Sequence, residues 1–373
     1  MLIVQDSIIN CSCYCYFAFS RVNTHIGSKQ LHLKRTTMAP SASAPIAAIN
    51  KMLAGQDMDI MQLGPIIAAF VAVVATFLFW FQTQRGGKVL IRKKIGLQIS
   101  HIEELSEDTK QIRLAFPRSR MHLGLPVGKH FKIFAPNPGK GQDTWNGRED
   151  PESKKADIER AYTPVTGDET LGYVDLVVKM YRKGDVKMPD GKTMTWADGG
   201  KMSGCFLDKK KVGDYITIDG PFGLLNYLGR GEFKLPSVSG TRKYQHVAMM
   251  AGGSGLTPML QVIQASLRDP ADKTTFSLLY ANKTESDILC RDLLDACVKQ
   301  GKGRVRVQYT LDFPPAGWDG EKGFITQEMI TRNLPAKEKS PLVLLCGPPP
   351  MVKFACQNNL EALGYDKKDI ANF

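Results

Sequence analysis

Hydrophobic and polar positions divide the chain into stretches of different character. The first has no charged residue between Ile60 and Gln84, and its 18 residues from 64 to 81 are almost wholly apolar. A helix of that length would measure about 27 Å, near the lower limit for crossing the hydrocarbon core of a membrane. Two aromatic residues and then several basic residues close the stretch, as at a membrane interface. The pattern predicts a single-pass transmembrane helix over 60–84, with the remaining protein facing the cytosol.

The second stretch has short alternating segments bounded by Gly, Pro and Asp. These segments are typical of strands in a small antiparallel barrel. The predicted strands lie at 88–97, 109–116, 130–134, 173–180 and 215–218. Two polar stretches, 137–159 and 183–198, interrupt this pattern. We expect both to be exposed insertions with no chemistry of their own.

The third stretch, from about residue 243, alternates compact apolar runs with helical periodicity. The apolar runs are 246–250, 275–280, 305–309 and 342–346. Runs of this kind are typical of buried parallel strands joined by crossover helices. The predicted fold is therefore an α+β two-domain chain. An antiparallel β-barrel domain over 88–235 precedes an α/β Rossmann-like domain over 241–373, and the N-terminal transmembrane helix over 60–84 precedes both.

Residues 1–59 allow two interpretations. Their first part is basic and poor in acids, which favours a targeting peptide. Equally, the residues before Met38 could be an upstream extension, because Met38 opens a stretch of small residues, typical of disorder, that would serve as a natural beginning. The sequence leaves both interpretations open.

Charge and cysteine content narrow the class of protein. The net charge is +12, of which +9 lies in residues 88–373. A cationic surface suits an acidic partner or an anionic membrane, and no nucleic-acid-binding motif accompanies it. The eight cysteines show no metal-binding spacing, so we expect no metal site. We also expect a monomer.

Two motifs in the predicted barrel carry groups suited to a flavin dinucleotide. In the first, Arg160 supplies an ionised fork for phosphate, Tyr162 a flat surface for the ring, and Thr163 a hydroxyl that can reach the flavin N5. The second, Gly199 to Ser203, predicts a helix start that presents backbone N–H groups to phosphate. Either motif alone could be an ordinary turn or helix cap, but their succession predicts a flavin site.

Two motifs in the second domain suit a nicotinamide nucleotide. Glycines at 252, 253 and 255 follow an apolar strand, and Pro258 stands at the first turn of the next helix. Such glycines allow a ligand to approach the backbone closely. The motif at 346–351 ends the fourth predicted parallel strand, where Cys346 could lie beside a nicotinamide ring. No neighbouring His or acid is placed to activate Cys346 as a nucleophile.

Read in order, these motifs resemble the NADH-cytochrome b5 reductase family, within the ferredoxin–NADP reductase-like flavoenzymes. The resemblance runs from about Val89 to Phe373 and includes the stretches 123–130 and 281–289. It implies FAD as the resident cofactor and NADH as the donor. It places Thr163 and Cys346 nearest the chemistry. For FAD it implies contacts from Arg160, Ala161, Tyr162, Thr163, Val177, Lys179, Lys201, Met202, Ser203 and Thr257. For NADH it implies contacts from Gly252, Gly253, Gly255, Asp312, Cys346, Pro348 and Met351.

The resemblance predicts a membrane-anchored enzyme that passes electrons from NADH through FAD to cytochrome b5 or a similar acidic haem protein. An anion such as Asp312 near the adenosine ribose would favour NADH over NADPH. The expected location is the endoplasmic reticulum or the mitochondrial outer membrane. Two alternatives remain: another NAD(P)H-dependent flavin reductase of this architecture, and a non-catalytic membrane-anchored binding protein.

Overall fold

The structure is a computed structural model that describes residues 60–84 and 86–373. The N-terminal extension predicted over 1–59 lies outside the described residues. Backbone contacts divide the chain into two units, one ending at Leu78 and the other running from Phe79 to Phe373. All sheets described below belong to the second unit.

The predicted helix over 60–84 is present as α1 (Ile60–Gln84). Several of its large apolar side chains are exposed, including Phe70, Val71 and Phe77. Among the residues that the structure describes, no helix combines the length and the apolar character that a membrane crossing requires. The prediction of a helix is confirmed, whereas the prediction that it crosses a membrane is not.

The first large sheet is antiparallel and has six strands. They are β1 (Ile95–Ser106), β2 (Thr109–Ala115), β3 (His130–Pro136), β6 (Asp157–Tyr162), β7 (Tyr173–Lys179) and β10 (Tyr215–Phe222). Their order is β6-β3-β10-β1-β2-β7. Alternate residues such as Ile112, Ile133 and Ile218 are fully buried, as the alternating pattern predicts. The antiparallel sheet is confirmed, but its end strands β6 and β7 are not paired, so backbone hydrogen bonds do not close a barrel.

One predicted strand and one predicted insertion need correction. The strand predicted over 88–97 begins only at Ile95, because Arg92 has a φ of 62°, which interrupts an extended chain. Lys88 forms an isolated bridge with His122 instead. The other correction concerns β6, which begins inside the stretch predicted to be an insertion and pairs with β3.

The two predicted insertions differ in burial. Residues 183–198 contain a hairpin of β8 (Gly184–Lys187) and β9 (Thr193–Trp196), and its first strand is exposed throughout, as predicted. Residues 137–159 contain a shorter hairpin of β4 (Thr144–Trp145) and β5 (Arg148–Glu149). Here Asn137 and Asp150 are buried. The prediction that 137–159 is exposed is therefore wrong for these residues.

The second large sheet is parallel, as predicted. Its strands are β14 (His246–Gly252), β15 (Thr275–Asn282), β16 (Val305–Leu311), β17 (Glu321–Lys322), β18 (Leu342–Cys346) and β19 (Ile370–Asn372). Their order is β17-β16-β15-β14-β18-β19. The associated helices are α2 (Leu256–Arg268), α3 (Arg291–Gly301), α4 (Gln327–Asn333), a π-helix (Met351–Gln357) and α5 (Asn358–Ala362). The carboxyl ends of β14, β15, β16 and β18 meet at one edge, where open parallel sheets bind ligands.

A small sheet and a shared core join the two large sheets. The small sheet consists of β11 (Asn226–Gly229), β12 (Glu232–Lys234) and β13 (Thr241–Lys243). Val165 and Val177, from the antiparallel half, belong to the same hydrophobic cluster as the residues that cover one face of the parallel sheet. The strand β7 also packs against the turn Gly253–Gly255. The two halves therefore meet along a packed seam.

Candidate functional site

Two of the predicted phosphate-binding cations meet at one carboxylate. Arg160, on β6, donates from Nη1 and Nη2 to the two carboxylate oxygens of Glu152 at 2.9 and 2.7 Å. Lys201 Nζ lies 3.5 Å from the same carboxylate and 2.6 Å from Asp150 Oδ2. The Arg160 guanidinium lowers the pKa of Glu152 to about 2. The structure therefore brings Arg160 and Lys201 together, as a shared anion site requires.

The motif from Gly199 to Ser203 forms a series of turns rather than the predicted helix start. Gly199 has a φ of 77°, and Gly204 N–H donates to Gly200 O at 2.9 Å. Lys201, Met202 and Ser203 are all buried. In the described part of the protein, the backbone N–H groups of these three residues have no hydrogen-bond acceptor. Consecutive N–H groups without acceptors are typical of a concavity that binds an anion.

The remaining predicted flavin contacts lie between the phosphate end and the parallel sheet. Tyr162 ends β6, and burial raises the pKa of its hydroxyl. Ala161 is exposed beside it, and Thr163 follows half-buried. Val177 is buried on β7, two residues before Lys179 at the end of that strand. Of these residues, Val177 belongs to the hydrophobic cluster at the seam.

Lys179 reaches across the seam. Its Nζ lies 2.7 Å from Asp108 Oδ2 and also binds Asp287, which belongs to the parallel half. Burial alone would lower the pKa of Lys179, but the hydrogen bonds to both carboxylates outweigh burial and raise it. Lys179 therefore carries a positive charge between the predicted flavin and nicotinamide sites.

The predicted nicotinamide motifs come together at the carboxyl edge of the parallel sheet. A Cβ atom on Gly252 would lie 2.4 Å from Met351 Sδ and 3.0 Å from Pro348 Cδ. A Cβ on Gly255 would lie 2.3 Å from the carbonyl oxygen of Cys346. Gly255 therefore needs glycine, because the clash is with backbone, whereas a methyl at Gly252 would require the Met351 side chain to move. Gly253 differs, because its φ is 52° and a Cβ there would meet no atom within 4 Å.

Thr257 lies in the first turn of α2, beside this edge. Gly255 is the N-cap residue of α2, and no side chain caps the helix. Thr257 is buried, and its hydroxyl donates to Ser254 O at 3.3 Å. The first N–H of α2 donates to Gly253 O and Ser254 O, and Pro258 has no N–H, so it is the positive end of the helix dipole that favours a negatively charged ligand at this edge.

Asp312 lies further along the same edge, beyond β16. Its backbone N–H donates to Asn282 O at 3.0 Å. Burial raises the pKa of Asp312, against the opposing effect of Lys283. The side-chain amide of Asn282 and the hydroxyl of Tyr309 are buried and have no hydrogen-bond partner among the described residues. A ligand at this edge of the sheet would supply hydrogen-bond partners for these buried groups.

Cys346 is not activated as a nucleophile. Burial raises the pKa of its thiol to about 11, so the thiol stays protonated at neutral pH. Among the described residues, no group of His, Cys, Asp or Glu could hold a metal ion.

Sequence reasoning missed several residues that the structure places in the site. They are Trp145, Asn146, Asp150 and Glu152 from the supposed insertion, together with Asn282, Asp287 and Tyr309. An Asn-Gly pair at 146–147 was a local signal for a hairpin. No local pattern could identify Asp150 and Asp287, because their partners Lys201 and Lys179 lie 51 and 108 residues away. Glu152 lies only eight residues before Arg160, but it stands in a stretch of mixed charge that does not single it out.

The residues fit both nucleotides. The N–H groups of 201–203, which have no acceptor among the described residues, suit the phosphates of a flavin dinucleotide, and Arg160 and Lys201 are held beside them by Glu152 and Asp150. The space over Gly253 and the unpartnered Asn282 suit a second nucleotide at the edge of the parallel sheet.

Comparison with known proteins agrees with this arrangement. The model of the oxidoreductase FAD-binding domain matches residues 96–146 and 150–227, and that of the oxidoreductase NAD-binding domain matches residues 249–357. The antiparallel half is thus an FAD-binding domain, and the parallel half is an NAD-binding domain.

Individual relatives give the same result. NADH-cytochrome b5 reductase 1 of Homo sapiens is 44% identical over 281 residues, which cover 74% of this chain and 84% of that protein. NADH-cytochrome b5 reductase 2 of Danio rerio is 38% identical over 331 residues, which cover 84% of this chain and 99% of that protein. Among solved structures, the cytochrome b5 reductase domain of Ulva prolifera nitrate reductase has a TM-score of 0.66 and 36% identity, covering 77% of this chain and all of that one. On these grounds the chain is an FAD- and NAD-dependent oxidoreductase that belongs to the NADH-cytochrome b5 reductase family.

Proposed function

We propose that this protein takes a hydride from NADH and passes single electrons to cytochrome b5 or a similar acidic haem protein. The observation that carries the proposal is the seam. Val165 and Val177 on one side share a hydrophobic cluster with Leu256 and Met259 on the other, and the strand β7 packs against the Gly253–Gly255 turn. Bound FAD would supply the conversion between two-electron and one-electron transfer.

The residues of the FAD-binding domain hold the cofactor in this proposal. Arg160 and the turn of Lys201, Met202 and Ser203 bind its pyrophosphate. Ala161 and Tyr162 hold the ring, and Thr163 offers a hydroxyl to N5. Val177, Lys179 and Thr257 complete the site from the strand β7 and the helix α2.

The residues of the NAD-binding domain orient the donor. Gly252, Gly253 and Gly255 let NADH approach the backbone, while Cys346, Pro348 and Met351 border the nicotinamide. Asp312 lies toward the adenosine ribose and favours NADH over NADPH. The hydride transfer needs no proton donor from the protein, which suits the protonated and unactivated Cys346 thiol.

The test is an anaerobic titration of the purified full chain with NADH, followed by addition of cytochrome b5. We expect bleaching of the flavin absorbance by NADH and then reduction of the haem. A colourless preparation would favour the non-catalytic binding protein. Equal catalytic efficiency with NADPH would favour a different reductase of this architecture.

The acidic acceptor is inferred from charge. Residues 88–373 carry a net charge of +9, which favours encounter with an anionic surface. Cytochrome b5 reduction should therefore slow as ionic strength rises. A rate that is independent of salt would argue against an electrostatically guided complex.

We also propose that α1 attaches the enzyme to the endoplasmic reticulum or the mitochondrial outer membrane, with both domains in the cytosol. The segment lacks charge, and the exposed apolar side chains of Phe70, Val74 and Phe77 support the proposal. The full chain should float with lipid vesicles, and a Phe70→Asp/Val74→Asp variant should not. Alkaline extraction then distinguishes a spanning helix from a peripheral one, and fractionation of cells identifies the membrane.

A further inference from the structure

The hairpin of β4 and β5 lies against the turn that the proposed function assigns to the FAD pyrophosphate. Its tip is Asn146-Gly147, and both residues have positive φ, 49° and 72°. Positive φ at both tip residues is what a two-residue type I′ hairpin turn requires, and Asn-Gly is its preferred sequence. The tip therefore has a conformation that its own sequence determines.

Asn146 makes several hydrogen bonds to the start of the phosphate turn. Its Oδ1 accepts from Asp198 N at 2.8 Å and from Gly199 N at 3.2 Å. Its Nδ2 donates to Gly199 O at 2.9 Å, and its backbone N–H donates to Asp198 Oδ2 at 2.7 Å. One side chain thus bonds to three consecutive peptide groups, 197–198, 198–199 and 199–200.

Trp145, the residue before Asn146, binds the same carbonyl group of Gly199. Its indole Nε1 donates to Gly199 O at 2.7 Å, and Lys201 Nζ lies 5.3 Å from the centre of its ring. Gly200 N–H in turn donates to Tyr181 O at 2.7 Å. The peptide groups around Gly199 are therefore satisfied from outside the turn, while the N–H groups of residues 201–203 have no acceptor among the described residues.

The residues after the hairpin hold the two cations. Asp150 and Lys201 form a buried ion pair, with side chains 4% and 5% exposed. Both carboxylate oxygens of Glu152 accept hydrogen bonds from the guanidinium of Arg160. The same insertion therefore orients the peptide groups and the charged side chains of the phosphate site.

We propose that residues 137–155 form a clamp that prearranges the FAD pyrophosphate site, with Asn146 and Trp145 as positioning residues. A turn that is ordered before binding loses less conformational entropy when FAD binds. The clamp slows FAD release without touching the flavin ring. This inference rests on the proposed function, because it assumes that the turn at 198–203 binds FAD.

The test compares FAD release from full-length holoenzymes. Asn146→Gly keeps a turn sequence compatible with positive φ and removes the amide. Gln142→Gly is the matched control, because Gln142 is an exposed amide in the same insertion. Release is followed by the rise in flavin fluorescence after dilution. We expect release about tenfold faster from Asn146→Gly than from wild type, since losing hydrogen bonds to buried groups costs on the order of 1.4 kcal/mol. Gln142→Gly should match wild type.

The melting temperatures of the flavin-free proteins distinguish a local positioning role from a loss of overall stability. Because the clamp's hydrogen bonds are already present without FAD, a positioning role predicts that flavin-free Asn146→Gly melts cooperatively a few degrees below Gln142→Gly, with faster release from Asn146→Gly alone. Equal release rates for Asn146→Gly and wild type, both binding FAD, would overturn the clamp and leave the proposed function intact. Failure of wild type itself to bind FAD would overturn both.

Two further measurements apply if Asn146→Gly does not fold. Trp145→Phe keeps a ring and removes the indole donor, and it should release FAD about threefold faster, the effect of one hydrogen bond. Hydrogen exchange on flavin-free wild type should show protected amides at Asp198 and Gly199. Rapid exchange at these amides without FAD would mean that the turn is not prearranged, and the clamp would be rejected.

Discussion

Glu152 illustrates how a single carboxylate can couple the phosphate site to pH. Its folded-state pKa of about 2 lies below the ordinary 4.5, because of Arg160. A depressed pKa contributes stability that is fully present above pH 4.5 and is lost as the pH falls toward 2. We expect urea midpoints of Glu152→Gln to approach those of wild type as the pH falls from 6 to about 3. Glu149→Gln, an exposed carboxylate nearby, should show no such convergence. A constant difference between Glu152→Gln and wild type would contradict this account.

The glycines at the nicotinamide edge serve two different needs. Gly255→Ala should lower the free energy of unfolding by about 2 kcal/mol, because the new methyl would press on the carbonyl of Cys346. Gly253→Ala should lower the free energy of unfolding by about 1 kcal/mol, because Gly253 has positive φ. It should also raise the KM for NADH, because the new methyl would enter the open space that NADH is proposed to occupy.

Gly303→Ala is the control for backbone strain, because Gly303 has positive φ, open surroundings and a position away from the site. The free energy of unfolding of Gly303→Ala should fall by a similar amount, and its KM for NADH should be unchanged. If Gly253→Ala also leaves the KM unchanged, NADH does not lie over Gly253.

At the scale of secondary-structure elements, the strands with a clear hydrophobic pattern were predicted correctly from the sequence. The parallel strands were recognisable because apolar runs such as 246–250 and 342–346 are buried on both faces. β6 was missed because Ile158 is its one fully buried residue and charged neighbours surround it. The clamp could not be predicted, since Asn146 bonds to Gly199, 53 residues away. Hydrogen bonds over such separations leave no trace in a local pattern.

The two insertions should respond differently to shortening. The hairpin of β8 and β9 is mostly exposed, and Val186 pairs with Met194. Replacing residues 187–193 by Asn-Gly would leave that pair flanking a type I′ turn, so we expect the melting temperature and FAD content to stay near wild type. The variant in which Asn-Gly replaces residues 143–150 lacks Trp145, Asn146 and Asp150 of the clamp and should lose FAD on dilution. Loss of FAD from the first variant would mean that the β8–β9 hairpin also supports the site.

At the scale of the whole molecule, function depends on how the two domains are fixed against each other. The motifs on each side were readable from the sequence, but the contacts that align them were not. Gly128 N–H, in the FAD-binding domain, donates to Gln261 Oε1 on α2 at 2.8 Å. Lys179 and Asp287 form a second link across the seam. Both links depend on residues that are far apart along the chain.

Removing the buried Gln261 contact tests this alignment. Gln261→Met conserves volume but leaves the Gly128 N–H without its acceptor, so the free energy of unfolding should fall by about 1–3 kcal/mol. The KM for NADH should also rise, because the donor and the flavin come from different domains. Gln264→Met, a less buried position on the same helix, is the control and should change neither quantity. Urea unfolding and steady-state kinetics measure both effects. A stability loss with an unchanged KM would show that other contacts, such as Lys179 with Asp287, are sufficient to align the domains.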